Sequence, residues 1–91
     1  MAHNFKILRH RTNGNLYLNL IGDFDGNSAL ELFNVLEENM DNTERVSINT
    51  SNLKKLHPFG LQLFNANFSK IKHHQTCVEF IGEKADQITS I

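Results

Sequence analysis

Much of what would place a chain quickly in a functional class is missing here. Of the 91 residues, nine are Lys or Arg and ten are Asp or Glu, a formal net charge of −1 with the histidines neutral. Nothing in that balance resembles the basic patch or stripe of a nucleic-acid-binding surface, and the neighbours Lys54 and Lys55 are too few to make one. A single cysteine, Cys77, excludes an internal disulfide. Its setting between Thr76 and Val78, close to Phe80, predicts a place in a core strand and a reducing compartment. No apolar run approaches the roughly 20 residues of a membrane-spanning helix. The opening MAHNFKILRHR has no hydrophobic region of the signal-peptide kind. The expected location is therefore the cytoplasm, without direct membrane insertion. Repeats, low-complexity tracts and interdomain linkers are missing too, as are Gly-x-Ser-x-Gly, Walker and dinucleotide-binding motifs. The length fits one domain over residues 1–91 with a single core.

What is present reads as alternating strands and helices. Phe5 to His10 has the alternation of a half-buried edge strand, and Asn13-Gly14 is a hairpin turn signal because both residues tolerate positive φ. Leu16 to Ile21 follows as a second strand, with Leu16, Leu18 and Leu20 on one face. Gly22-Asp23-Phe24-Asp25-Gly26-Asn27 reads as a loop. Ser28-Ala29-Leu30-Glu31 has the form of a capping box, opening a helix to about Met40 that buries Leu32, Val35, Leu36 and Met40. Asp41-Asn42-Thr43 ends it. Arg45 to Asn49 is a short strand, and Asn49 to Leu56 a polar crossing.

The chain then turns sharply at Leu56-His57-Pro58-Phe59-Gly60 into a second helix, Pro58 to about His73. Proline suits the first helical position, where no backbone donor is needed. Leu61, Phe64, Phe68 and Ile71 recur at three- and four-residue steps and form an apolar stripe. Such a strand-to-helix turn carries free N–H groups and the positive end of the helix dipole at the surface. A last strand, Thr76 to Ile81, precedes a turn at Gly82-Glu83 and the start of a third helix from Ala85 to Ile91. The order predicts an α/β fold: an antiparallel N-terminal hairpin, then parallel strands joined through β-α-β-α-β by right-handed crossovers. The result is a small mixed sheet with helices packed on it.

Leu18-x-Leu20-Ile21-Gly22-Asp23-Phe24-Asp25 resembles the Leu-x-Gly-Glu-Leu-Asp start of STAS domains, the family of bacterial anti-sigma-factor antagonists and their relatives. The resemblance continues in register through the helix from Ser28, the Val46-Ser47-Ile48-Asn49 strand, the Leu53 to Leu56 approach and Gly60-Leu61. Cys77 to Ile81, ending at Gly82, corresponds to the family's next strand. In phosphorylatable members the turn before the second helix reads Asp-Ser-Ser-Gly or a close variant, and a Ser or Thr directly before the glycine is the phosphoacceptor. Here the four places read His57-Pro58-Phe59-Gly60. Phe59 stands at the acceptor place without a hydroxyl, so the usual phosphate switch at a helix N-terminus cannot operate. By the same comparison the chain is shortened at its C-terminus.

Phe59 beside Gly60, and Phe24 in the adjacent loop of the resembled fold, form a candidate contact patch framed by Asp23, Asp25, Lys55, His57 and Pro58. Each ring has two readings, an exposed interface anchor or a core residue turned inward. Asp23 and Asp25 carry the spacing of an acid–base pair or of cation ligands, but turn chemistry explains them better. His57 before Pro58 reads as a turn residue rather than a proton carrier or phosphoacceptor. His73-His74 suits a helix end, where positive charge is favourable, and adjacent histidines share no helical face for a metal. Cys77 reads as packing rather than as a nucleophile. Thr50 and Ser51 do not align with the acceptor place and read as strand-ending and turn-closing residues.

No catalytic site, cofactor or metal is expected. The resemblance implies a non-catalytic regulatory module that docks a serine-kinase-type anti-sigma factor, another STAS protein or a signalling scaffold, with homodimerisation a further option. The alternative reading is a cytoplasmic accessory subunit of an ABC-type membrane transporter.

Overall fold

Alternation of apolar and polar residues builds the first half of the sheet. The computed structural model describes residues 4–39, 43–71 and 77–89. Strands β1 (Lys6–Thr12) and β2 (Asn15–Phe24) pair antiparallel, from Lys6 opposite Ile21 to Thr12 opposite Asn15. Their turn places Asn13 and Gly14 at φ of 41° and 87°, a region these residue types enter easily. Along β2 every second residue from Leu16 to Phe24 is buried, so one phase runs unbroken through Gly22. The strand thus occupies positions where a loop was expected, because its far half pairs with a neighbouring parallel strand.

That neighbour is β3 (Arg45–Leu56), which follows helix α1 (Gly26–Asn39). The polar stretch after Asn49 is not a crossing but the second half of a 12-residue strand. It stays paired because the register slips twice. Asn19 faces Asn49 but Ile21 faces Asn52, and Gly22 faces Leu53 but Asp23 faces Lys55. Each slip is an extra residue in β3; the first shifts the inward phase of Val46, Ile48 and Thr50 to Leu53, while Ser51, Asn52, Lys54 and Lys55 remain in solvent.

Helix α2 (Pro58–Ile71), strand β4 (Cys77–Ile81) and the short helix α3 (Ala85–Thr89) complete the chain. The sheet order is β1-β2-β3-β4, with β2, β3 and β4 parallel. The expected mixed α/β architecture is therefore the observed one. Met40, the Asp41-Asn42 helix stop, His73-His74, Thr76 and the extension of the third helix to Ile91 lie outside the described residues.

One face of the sheet carries the helices. Leu16, Leu18, Leu20, Val46 and Ile48 pack there with Ala29, Leu32, Val35 and Leu36 of α1, Phe64 of α2 and Ile88 of α3. A phenylalanine chain runs through this layer. Phe24 meets Phe5 and Phe64 edge-on at centroid distances of 6.0 and 6.1 Å, and Phe64 stacks on Phe68 at 5.3 Å. These separations are those of favourable aromatic pairs. Arg11 reaches from β1 over the end of α1, donating to Asn39 Oδ1 at 2.7 Å and Thr43 Oγ1 at 3.1 Å. There the cation lies at the negative end of the helix dipole.

Cys77 departs from expectation: it is exposed. β4 is an edge strand, and Val78 and Phe80, opposite Val46 and Ile48, take the core face. Period-2 alternation then turns Cys77 to the other face.

Candidate functional site: the paired helix starts

The carboxyl ends of β2 and β3 lie side by side, with Phe24 the register partner of Leu56, and each strand leads at once into a helix. The starts of α1 and α2 are therefore neighbours. His57 N–H donates to the Phe24 carbonyl at 2.9 Å, joining the two turns through the backbone.

The start of α1 is capped by Asp25, not by the expected Ser28–Glu31 box. Asp25 Oδ1 accepts from Ser28 N–H at 2.9 Å and from Ser28 Oγ at 3.0 Å, and its carbonyl accepts from Ala29 N–H at 2.9 Å. Ser28 Oγ also lies 2.9 Å from the Asp23 carbonyl, within hydrogen-bond reach. The helix begins earlier than expected because Asp25 stands three residues before the buried Ser28, the spacing of an N-cap and its N3 partner. Ser28 contributes from within the first turn. Asp25 is thus committed to capping, while Asp23 stands half-buried opposite the exposed Lys55.

The start of α2 follows the expectation: Pro58 is the first helical residue, and the His57 carbonyl accepts from Leu61 N–H at 3.1 Å. Helical phase then separates the two flanking aromatics. Gly60 and Phe64 face inward, and Phe59 points out with 67% of its surface exposed. Phe24 is the opposite case. It is wholly buried between Phe5 and Phe64, so of its two readings the inward one holds and Phe24 leaves the candidate contact patch, where Phe59 is the exposed ring. The place of Phe24 on the inward phase of β2 is the reason.

Close approach defines the junction. A Cβ on Gly60 would stand 2.6 Å from the Asp25 carbonyl carbon and oxygen, so only glycine lets α2 dock against the α1 turn. In the reverse direction, a Cβ on Gly26 would stand 2.8 Å from Phe59 Cε2 and 3.9 Å from Leu63 Cδ2. Around Phe59 the exposed His57, Pro58 and Lys55 share the same rim.

Two further residues belong to this rim and were not singled out in the sequence. Leu63 lies one turn beyond Phe59, and Leu30, 46% exposed, lies one turn beyond Gly26. The four-residue spacing was the available signal. Away from the rim, Thr50 and Ser51 do not end a strand, since β3 continues to Leu56, but they do close a turn, the distant one after β4. Thr50 Oγ1 donates to the Ile81 carbonyl at 2.9 Å and accepts from Lys84 N–H at 3.1 Å, and Ser51 Oγ accepts from Glu83 N–H at 3.2 Å.

Chemically, the rim offers a projecting aromatic surface with a few charged groups at its edge. Among the described residues there is no group of three or more His, Cys, Asp or Glu placed to hold a metal ion, and no helix is long and apolar enough to cross a membrane.

No family model and no curated protein matches the sequence. Solved structures do match. An anti-sigma factor antagonist from Mycobacterium paratuberculosis superposes with a TM-score of 0.69 at 19% identity, covering 91% of this chain and 72% of that one. The anti-sigma factor antagonist SpoIIAA in its unphosphorylated form gives 0.67 at 10% identity, covering 94% and 81%. A much longer protein, Mglu, gives 0.70 at 16% identity, and there the match covers 80% of this chain but only 18% of the other. The hairpin, the two parallel crossovers and the paired helix starts are thus arranged as in the STAS domains of anti-sigma-factor antagonists, and that fold is the fold of this chain.

Proposed function

We propose that the chain is a non-catalytic regulatory module that docks a protein partner through the rim at the start of α2, with Phe59 as its anchor. The observation that carries this reading is the 67% exposure of a phenylalanine at the turn where the resembled family places its phosphoacceptor. Aromatic residues, phenylalanine among them, are enriched in protein interfaces relative to the rest of the surface. The partner class that fits best is a serine-kinase-type anti-sigma factor or a related signalling scaffold, met in the cytoplasm. Phe59 has no hydroxyl, so docking here is independent of phosphorylation at that place. Asp23, Lys55, His57 and Pro58 form the edge of the contact. Asp25 and Gly60 build the turn beneath it, and Phe24 supports it from the core.

The test is affinity capture from lysate of the source cells with the native chain and Phe59→Glu side by side, each checked by thermal melting. An ATP-binding anti-sigma kinase recovered by the native chain and lost by the folded variant is the expected result. Recovery of a transporter ATPase would replace this reading with that of an accessory subunit. A folded variant that keeps every partner would move the contact to another face.

A further inference from the structure

The exposed ring of Phe59 lies against a residue with no side chain, and backbone conformation does not explain why that residue is glycine. Gly26 is the first residue of α1 and its φ is not positive, so its backbone suits any amino acid. Alanine is the better helix former by about 1 kcal/mol in a helix interior. What a side chain would displace is the ring: a Cβ there would stand 2.8 Å from Phe59 Cε2 and 3.0 Å from Cδ2, so the exposed ring would have to move to admit it. The Leu63 methyl at 3.9 Å from the same point borders the notch.

A phenylalanine with most of its surface in solvent ordinarily exchanges between staggered χ1 rotamers, and a partner that needs one of them bears the cost of selecting it. We propose that Gly26 is a positioning residue for the Phe59 contact, holding the ring against the first turn of α1 in one rotamer with its outer surface presented for docking. This inference rests on the docking reading above. It adds that the two helix starts, and not α2 alone, form the binding element.

The experiment is solution NMR of the full chain. In the native protein, cross-relaxation between the Gly26 Hα protons and the Phe59 ring, with three-bond couplings to Phe59 Cγ typical of a single rotamer, is expected. Gly26→Ala is expected to retain the fold while shifting those couplings to averaged values. It should also weaken binding of the captured partner by a few-fold to about tenfold, the cost of ordering one such side chain. A ring that averages in the native chain overturns the positioning role, even if Phe59→Glu abolishes binding, and this measurement needs no variant. Couplings unchanged in Gly26→Ala overturn it as well. A fixed native ring, with binding indifferent to both Gly26→Ala and Phe59→Glu, removes the docking reading and the positioning role with it.

Discussion

Phe59 and Phe24 share a residue type and sit at adjoining helix starts, yet the structure assigns them opposite work. Phe59→Glu puts a charge where the ring is already 67% exposed, so its effect on stability is expected to stay within about 1 kcal/mol. Phe24→Ala opens a cavity between Phe5 and Phe64 and is expected to cost about 3–5 kcal/mol. Urea unfolding of the two variants beside the native chain separates these outcomes, and similar losses in both would contradict the assignment. The distinction was available in the sequence through phase. Phe24 continues the Leu16-Leu18-Leu20 alternation, but Gly22 and the two aspartates imitate a loop and hide it. Cys77 is the same lesson reversed: its apolar neighbours imply burial, while alternation with Val78 and Phe80 puts it outside. Local composition left Phe24 open and misled at Cys77, because pairing across the sheet decides which face a strand residue takes.

At the scale of elements, the two slips in β3 do more than lengthen a strand. They carry the inward phase on from Thr50 to Leu53, and the Thr50 hydroxyl, inward in phase with Val46 and Ile48, joins the Ile81 carbonyl and the Lys84 N–H, so the segment after β4 is fastened to the middle of β3. Thr50→Val keeps the shape and removes both bonds. It is expected to destabilise the protein by about 1–3 kcal/mol, because buried partners are left unsatisfied. Hydrogen exchange should show the loss concentrated at Lys84 and α3, and unchanged Lys84 protection would contradict this account. Asp25→Ala removes the α1 cap and is expected to cost about 1 kcal/mol, read by thermal melting against the native chain. Both helices and their apolar faces were legible from three- and four-residue spacing. The cap was not, because Ser28 and Glu31 satisfy the same pattern as a true box and only the position of the chain before Gly26 decides between them. The second half of β3 was hidden for a related reason. Its exposed polar residues lie beside buried Thr50 and Leu53 only after the register slips, and a slip leaves no mark in composition.

Across the whole molecule, the sheet brings together two turns that are far apart in the chain, and glycine on each side makes room for the other. Gly60 admits the Asp25 backbone, and Gly26 admits the Phe59 ring. Gly60→Ala forces a Cβ toward the Asp25 carbonyl group at 2.6 Å and is expected to destabilise by about 1–3 kcal/mol, the cost of overpacking, despite alanine's better helix propensity. A melting temperature at or above the native value would show that the junction is looser than described. The sheet order and parallel crossovers follow from the succession of strands and helices, which is why the fold was readable from the sequence. The rim was readable only in part, since close approach between turns depends on tertiary packing. The most direct measurement of the central claim is the equilibrium affinity of the identified partner for the native chain and for Phe59→Glu, both verified as folded. With Phe59 as the anchor, the variant should bind at least about 30-fold more weakly, the equivalent of about 2 kcal/mol for an interface hot spot. Equal affinities would contradict the account and place the contact elsewhere on the molecule.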